Sequence, residues 1–242
     1  VERVLRDPAK REHRRLPRSA AKGSQTVGRL FFGYFLLAKQ KKVTRPPGRD
    51  PANGLNKKST VTKTKTAGKL PRTMPTILPA EEHHYPSLHQ TLDTVAREKK
   101  YLALTEAPPY DSTTDFYRHL RATHSPHFVA VENNQVIGWC DIAPTFGQTR
   151  AHAGTLGIAL HPNARGRGLG PQLLRAAIEA AWLKGLTRIE LTVRDDNLPA
   201  KALYERFGFQ HEGLQRQAMR VDGIYHDVHA MALLATEATA PH

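Results

Sequence analysis

Two short stretches carry residues whose types and spacing could do chemistry. The first, HPNARGRGLGPQLLRAAIEAA (His161–Ala181), runs Arg165, Gly166, Arg167, Gly168, Leu169, Gly170 and Pro171, then becomes an amphipathic helix. A strand, a Gly-rich turn and a helix in that order aim successive backbone N–H groups at one point. That point lies at the positive end of the helix dipole, so it attracts anions. Glycine tolerates φ > 0 and lets a ligand approach the backbone. Arg165 and Arg167 are expected to add charge-assisted hydrogen bonds to a phosphate. The plain alternative is a flexible surface loop. An RG-rich RNA-binding loop is a competitor, but it would normally repeat and would not lead into an amphipathic helix. A P-loop is excluded, since no Gly-Lys-Ser/Thr follows. The dinucleotide fingerprint fails because its last Gly falls at Pro171. What fits is R-x-x-G-x-G, as Arg165, Gly168 and Gly170.

The second stretch is VRDDNLPAKALYERFGF (Val193–Phe209). Asn197 and Tyr204 lie seven residues apart, two turns along one helix face.

The surrounding pattern is α/β. Helices are expected over Ser87–Tyr101, over Asp111–His124 with Asp111 or Ser112 as N-cap, from about Pro171 to Lys184 with Gly185 as stop, and over Asn197–Phe209 with Asn197 as N-cap and Gly208 as stop. Strands are expected over His127–Asn133, Val136–Ala143, Ala151–His161, Arg188–Val193, Leu214–Val221 and Ile224–Leu234. Asn133–Gln135 and Asp222–Gly223 suit tight hairpin turns.

The formal charge is +14, but it is concentrated at one end. Residues 1–73 hold 20 Lys and Arg against 4 Asp and Glu, a net +16, and residues 74–242 hold 16 against 18, a net −2. The basic third is rich in breakers and expected to be disordered. Its apolar run Leu30–Ala38 is nine residues, too short to span a bilayer. Acid-poor, Arg-rich segments also resemble transit peptides. The chain opens on Val and its first Met is Met74, where charge and pattern both change. Residues 1–73 are therefore expected to be an upstream extension or dispensable tail, with Met74 as the native start and 74–242 as the folded domain. The single cysteine, Cys140 in VIGWCDI, reads as a buried thiol. No metal-ligand spacing appears, and Glu81–His89 (EEHHYPSLH) reads as a solvated helix start.

With both motifs in this order, the chain resembles the GNAT superfamily of acetyl-CoA-dependent N-acyltransferases over about Pro75–Leu234. The resemblance implies an α/β (α+β) fold: a mixed, mostly antiparallel sheet of six or seven strands with splayed central strands and about four helices. It implies that the amides of Gly166–Gly170, with Pro171 at the helix start, hold the CoA pyrophosphate. It implies that the backbone of Ile158, Ala159 and Leu160 pairs with the pantetheine arm, that Asn197 contacts that arm, and that Tyr204 protonates the departing thiolate. Core packing is the plain alternative for Tyr204. Ribosomal-protein alanine acetyltransferases of this superfamily carry a Glu five residues before the asparagine, where this chain has Thr192. Glu190, two residues earlier on the same strand face, and His152, on the preceding strand, are the remaining base candidates; for both, a satisfied polar residue is the plainer reading.

The C-terminal pattern looks like the amino-acid N-acetyltransferase branch. The expected acceptor is a small primary amine such as a free amino acid, with Arg216 or Arg220 available for a carboxylate. The alternatives are a protein N-terminus or lysine and, from another class, an acetyl-CoA-sensing or nucleic-acid-binding module that uses the basic tail. Expected are acetyl-CoA as co-substrate, no metal, no membrane partner, no nucleic acid despite the tail, room for a homodimer, and a cytoplasmic location.

Overall fold

The computed structural model describes residues 74–237; the expectations for residues 1–73 lie outside them. Seven strands form one sheet in the order β1-β2-β3-β4-β5-β7-β6. They are β1 (Thr76–Pro79), β2 (His127–Glu132), β3 (Gln135–Pro144), β4 (Ala153–Leu160), β5 (Arg188–Arg194), β6 (Gln210–Val221) and β7 (Ile224–Leu234). All neighbours are antiparallel except β4 and β5. The helices are α1 (Tyr85–Ala96), α2 (Tyr110–Ala122), α3 (Leu169–Leu183) and α4 (Leu198–Arg206).

Strand alternation divides the apolar side chains between two cores. On one face Cys140, Ile142, Leu156, Ile189, Leu191, Val193, Met231 and Leu233 pack with α3 and with Tyr204 of α4. On the other, Val129, Val136, Trp139 and Ala143 pack with Tyr85, Leu88, Leu92 and Val95 of α1 and with Phe116, Tyr117 and Leu120 of α2. The result is a three-layer sandwich with the sheet in the middle.

Several boundaries differ from expectation. β1 was not anticipated: TILP is too short and Pro-flanked to announce itself, and it forms because β2 offers an edge. α1 starts at Tyr85 and stops at Ala96, five residues early; Lys99 then turns left-handed at φ 54°. At its start His84, Tyr85 and Leu88 are buried, so this helix start is not the solvated one expected. Pro109, not Asp111 or Ser112, caps α2. β6 begins at Gln210 and carries two register shifts. Both hairpin turns form, with φ of 50° and 60° at Asn133 and Asn134 and 47° and 88° at Asp222 and Gly223.

Candidate active site

The decisive geometry is a gap in the sheet. β4 and β5 pair at only three positions, Ala153–Arg188, Gly154–Ile189 and Thr155–Glu190. Beyond these the strands part, while the other edge of β4 stays paired with β3 as far as Leu160–Gly138. Among the described residues no strand lies beside the outer edge of Ile158–Leu160, and these residues are half-buried. Unused N–H and C=O groups along a strand edge pair readily with an extended partner.

Directly after β4 the chain makes a short 3-10 turn at Pro162–Ala164 and the Gly-Arg loop, then enters α3. Gly166 and Gly168 sit at φ 71° and 74°, and nothing lies within 4 Å of a Cβ built on either. Their glycine is therefore demanded by the backbone angle, not by lack of space. Gly168 is the N-cap of α3, so Leu169 and Gly170 open the helix and Pro171 is its third residue, not its first. Pro171 still falls in the first turn, where no helical N–H bond is lost.

Arg165 and Arg167 do not stand ready for a phosphate. The Arg165 guanidinium donates to both oxygens of Glu98 at 3.1 and 2.6 Å and to the Leu160 carbonyl at 3.1 Å, and lies 4.8 Å from the Tyr101 ring centre. Arg167 is bidentate on Glu132 at 3.1 and 2.6 Å. They clamp the loop to the segment after α1 and to the end of β2. Two cations that the motif did not flag share a cavity with Pro171 in the first turn of α3. Arg175 and Arg206 line a shallow cavity of about 390 Å³ with Pro171 and Phe207, and among the described residues neither forms an ion pair. Their sequence signal was only a basic residue one turn past Pro171 and another at the end of α4.

Asn197 caps α4 by position, but its side chain makes no capping bond, which leaves its amide available. Tyr204 is 7% exposed and packs on Phe209 with ring centres 5.7 Å apart. Burial first, then the neighbouring Cys140 thiol, push its phenol well above the ordinary range. It stays protonated at neutral pH. Cys140 is the register partner of Ile158, so Tyr204 sits on the β4 face that α3 and α4 cover.

The two base candidates fare differently from these. Glu190 lies at the last paired position beside the gap, on the opposite face from Tyr204. Arg150 reaches both its oxygens at 2.7 Å and Arg188 adds a third bond at 3.3 Å, so its lone pairs are taken up by guanidinium groups. His152 is exposed in the turn before β4 rather than on the strand, at the closed end of the gap. The structure does not bring it to Tyr204. A second cavity, of about 290 Å³, is lined by Asp195, Asp196, Tyr225, His226 and Asp227. Each of its carboxylates is already engaged: Asp195 by Lys201 and His229, Asp196 by Arg194, and Asp227 by the Gln217 amide.

The acetyltransferase (GNAT) family pattern matches residues 89–209, from α1 through α4. The chain belongs to this family. It is 35% identical over 106 residues to the L-amino acid N-acetyltransferase AaaT of Escherichia coli, a match covering 43% of this chain and 65% of that protein. It is also 35% identical over 111 residues to the N-alpha-acetyltransferase RimI of Mycobacterium tuberculosis, covering 45% and 66%. The chain thus spans just under two thirds of the length of these GNAT relatives. A phosphinothricin acetyltransferase from Sinorhizobium meliloti, solved with acetyl-CoA, shares the fold at TM-score 0.64 and 20% identity, over 70% of this chain and 93% of that one.

Proposed function

We propose that this GNAT protein transfers an acetyl group from acetyl-CoA to a primary amine, and that the amine belongs to a small molecule such as a free amino acid. The observation that carries this is the parting of β4 from β5 after three paired residues, directly before a loop that ends in free helix amides. The residues present fit acetyl-CoA. The open edge of Ile158–Leu160 supplies amide groups for the pantetheine arm, and Asn197 supplies a free side-chain amide. The N–H groups of the loop and of the first turn of α3 face a pyrophosphate, with the helix dipole behind them. Arg175 and Arg206 supply the cationic charge that Arg165 and Arg167 spend on Glu98 and Glu132.

Acetyl-CoA brings the thioester, whose carbonyl the β4 amides polarise. Tyr204 gives its proton to the sulfur as the C–S bond breaks, and its buried phenol is protonated beforehand. No covalent enzyme intermediate is required. The likeness to AaaT favours a free amino acid, and the likeness to RimI keeps a protein N-terminus as the second acceptor class.

A thiol-release assay on the full chain tests this, with acetyl-CoA and a panel of amino acids, polyamines and short peptides. The expected result is release with one amine class. Calorimetric binding of acetyl-CoA without release by any amine would leave a sensor, and failure to bind acetyl-CoA would remove the reading altogether.

A further inference from the structure

On the sheet face opposite Tyr204, one transverse row of residues crosses three strands. His127 of β2 is in register with Asp141 of β3, and Asp141 with Gly157 of β4. Continued past the Thr155–Glu190 pair, the register carries this row across the gap to Thr192 of β5. Asp141 is 1% exposed, and its Oδ2 has no hydrogen-bond partner among the described residues. A buried acceptor left without a donor is rare and costly, and it asks for a partner that the protein alone does not supply. At this row β4 contributes only Gly157, which carries no side chain.

We propose that Asp141 is the general base for the acceptor, taking a proton through one water from an amine held in the gap between Gly157 and Thr192. This rests on the acetyl-transfer reading above. From β3 to the middle of the gap is about one and a half strand spacings, roughly 7 Å, which a carboxylate and one water cover.

The surroundings suit a base. Facing the carboxyl are Tyr117 of α2, Trp139 of its own strand, which donates to it, and His127 of β2; Cys140 lies across the sheet, and Tyr85 of α1 stands behind Tyr117 with ring centres 5.1 Å apart. Arg121 and Arg118 reach Tyr85, but among the described residues no cation acts on the Asp141 carboxyl. Burial pushes the Asp141 carboxyl up to about 8, close to the pH at which a base works best. The proton balance closes. The ammonium loses one proton to Asp141, and its lone pair forms the C–N bond. The C–S bond breaks as Tyr204 protonates the sulfur. The second proton shed by the nitrogen restores Tyr204, and Asp141 releases its own to solvent.

The test is Asp141→Asn in the full chain. The swap keeps the shape and replaces a carboxyl that is neutral at pH 7 by a neutral amide, so the fold persists. The probes are the amine that the unmodified protein acetylates best and hydroxylamine, which is already neutral at pH 7. With the ammonium acceptor, kcat at pH 7 falls about 10²–10³-fold, and the rise in rate through pH 8 disappears. With hydroxylamine the loss stays below about 10-fold, and calorimetric affinity for acetyl-CoA is unchanged. A second readout needs no turnover: the acid carbonyl band of Asp141 in the infrared, absent in the variant, vanishes in the free protein as pH passes through 8. Retained kcat, equal losses with both nucleophiles, or an acid band that never titrates would each overturn the assignment. Turnover that the variant keeps sinks this inference alone, whereas no turnover with any amine sinks it together with the acetyl-transfer reading.

Discussion

The two faces of the sheet are built by opposite means. Beside α3 and α4 the chain offers mostly backbone: an unpaired strand edge, loop amides and the start of a helix. Of the side chains there, Arg165 and Arg167 are tied to carboxylates and Tyr204 packs on Phe209. Beside α1 and α2 polar side chains are left incomplete: among the described residues, His127 Nε2 and Asp141 Oδ2 are buried without partners. Backbone sites suit a ligand that never changes, because their geometry depends little on which side chains surround them. On the proposed reading, side-chain sites suit the variable substrate, whose arrival would complete their bonds.

The largest expected effect falls where one side chain intrudes on the backbone face. Tyr204→Phe lowers kcat about 10²–10³-fold while calorimetric affinity for acetyl-CoA stays within a few-fold; an unchanged kcat would make Tyr204 a packing residue and leave that face wholly backbone.

Next comes a pH test that sets the other face's unfinished bonds against each other. Asp141 is raised to about 8 and His127 lowered to about 3, both by burial. Folded Asp141 holds a proton that the unfolded chain releases above about pH 4, so its contribution is full in acid and is lost as pH rises through 8. Folded His127 refuses a proton that the unfolded chain takes up below about 6.5, so stability falls as pH drops from there towards 3. Asp141→Asn therefore gains on the unmodified protein between pH 5 and 8, by about 2–5 kcal/mol. His127→Gln gains below pH 6. Denaturant melts at three pH values measure both, and parallel pH curves would contradict the burial argument.

Smaller effects return to the loop. Gly168→Val forces a β-branched residue to φ 74°, costing about 1–2 kcal/mol and weakening acetyl-CoA about tenfold by calorimetry. Glu98→Gln loosens the Arg165 clamp. It costs about 1–2 kcal/mol of stability and raises the KM for acetyl-CoA a few-fold, with no change in acceptor preference. Smallest is Lys99→Ala, which breaks the exposed pair to Asp222 and stays within about 0.5 kcal/mol.

How much of this was legible follows the same division. The backbone face announces itself in sequence, because positive φ needs glycine and a helix start after a strand has a pattern; the left-handed turns at Gly166 and Gly168 and the cap position of Asn197 were legible that way. What the arginines touch was not legible. Their partners Glu98 and Glu132 lie 67 and 35 residues away, and only the fold delivers them. Nor was the far end of α1, since REKK is helix-compatible and stops because the chain turns at Lys99. Asp141 was hidden differently. In VIGWCDI it looks like an ordinary polar residue at a strand end, and its burial depends on α2 placing Tyr117 over it.

Three register pairs are all that join the two halves of the sheet along β4 and β5. In mechanical terms the strands β1–β4 and β5–β7 are two leaves on a short hinge, and an extended ligand in the gap acts as an eighth, removable strand. Amide exchange at Ile158 and Leu160, whose N–H groups face away from β3, should therefore report the hinge, fast in the free chain and slowed by whatever closes it, long before any product is made.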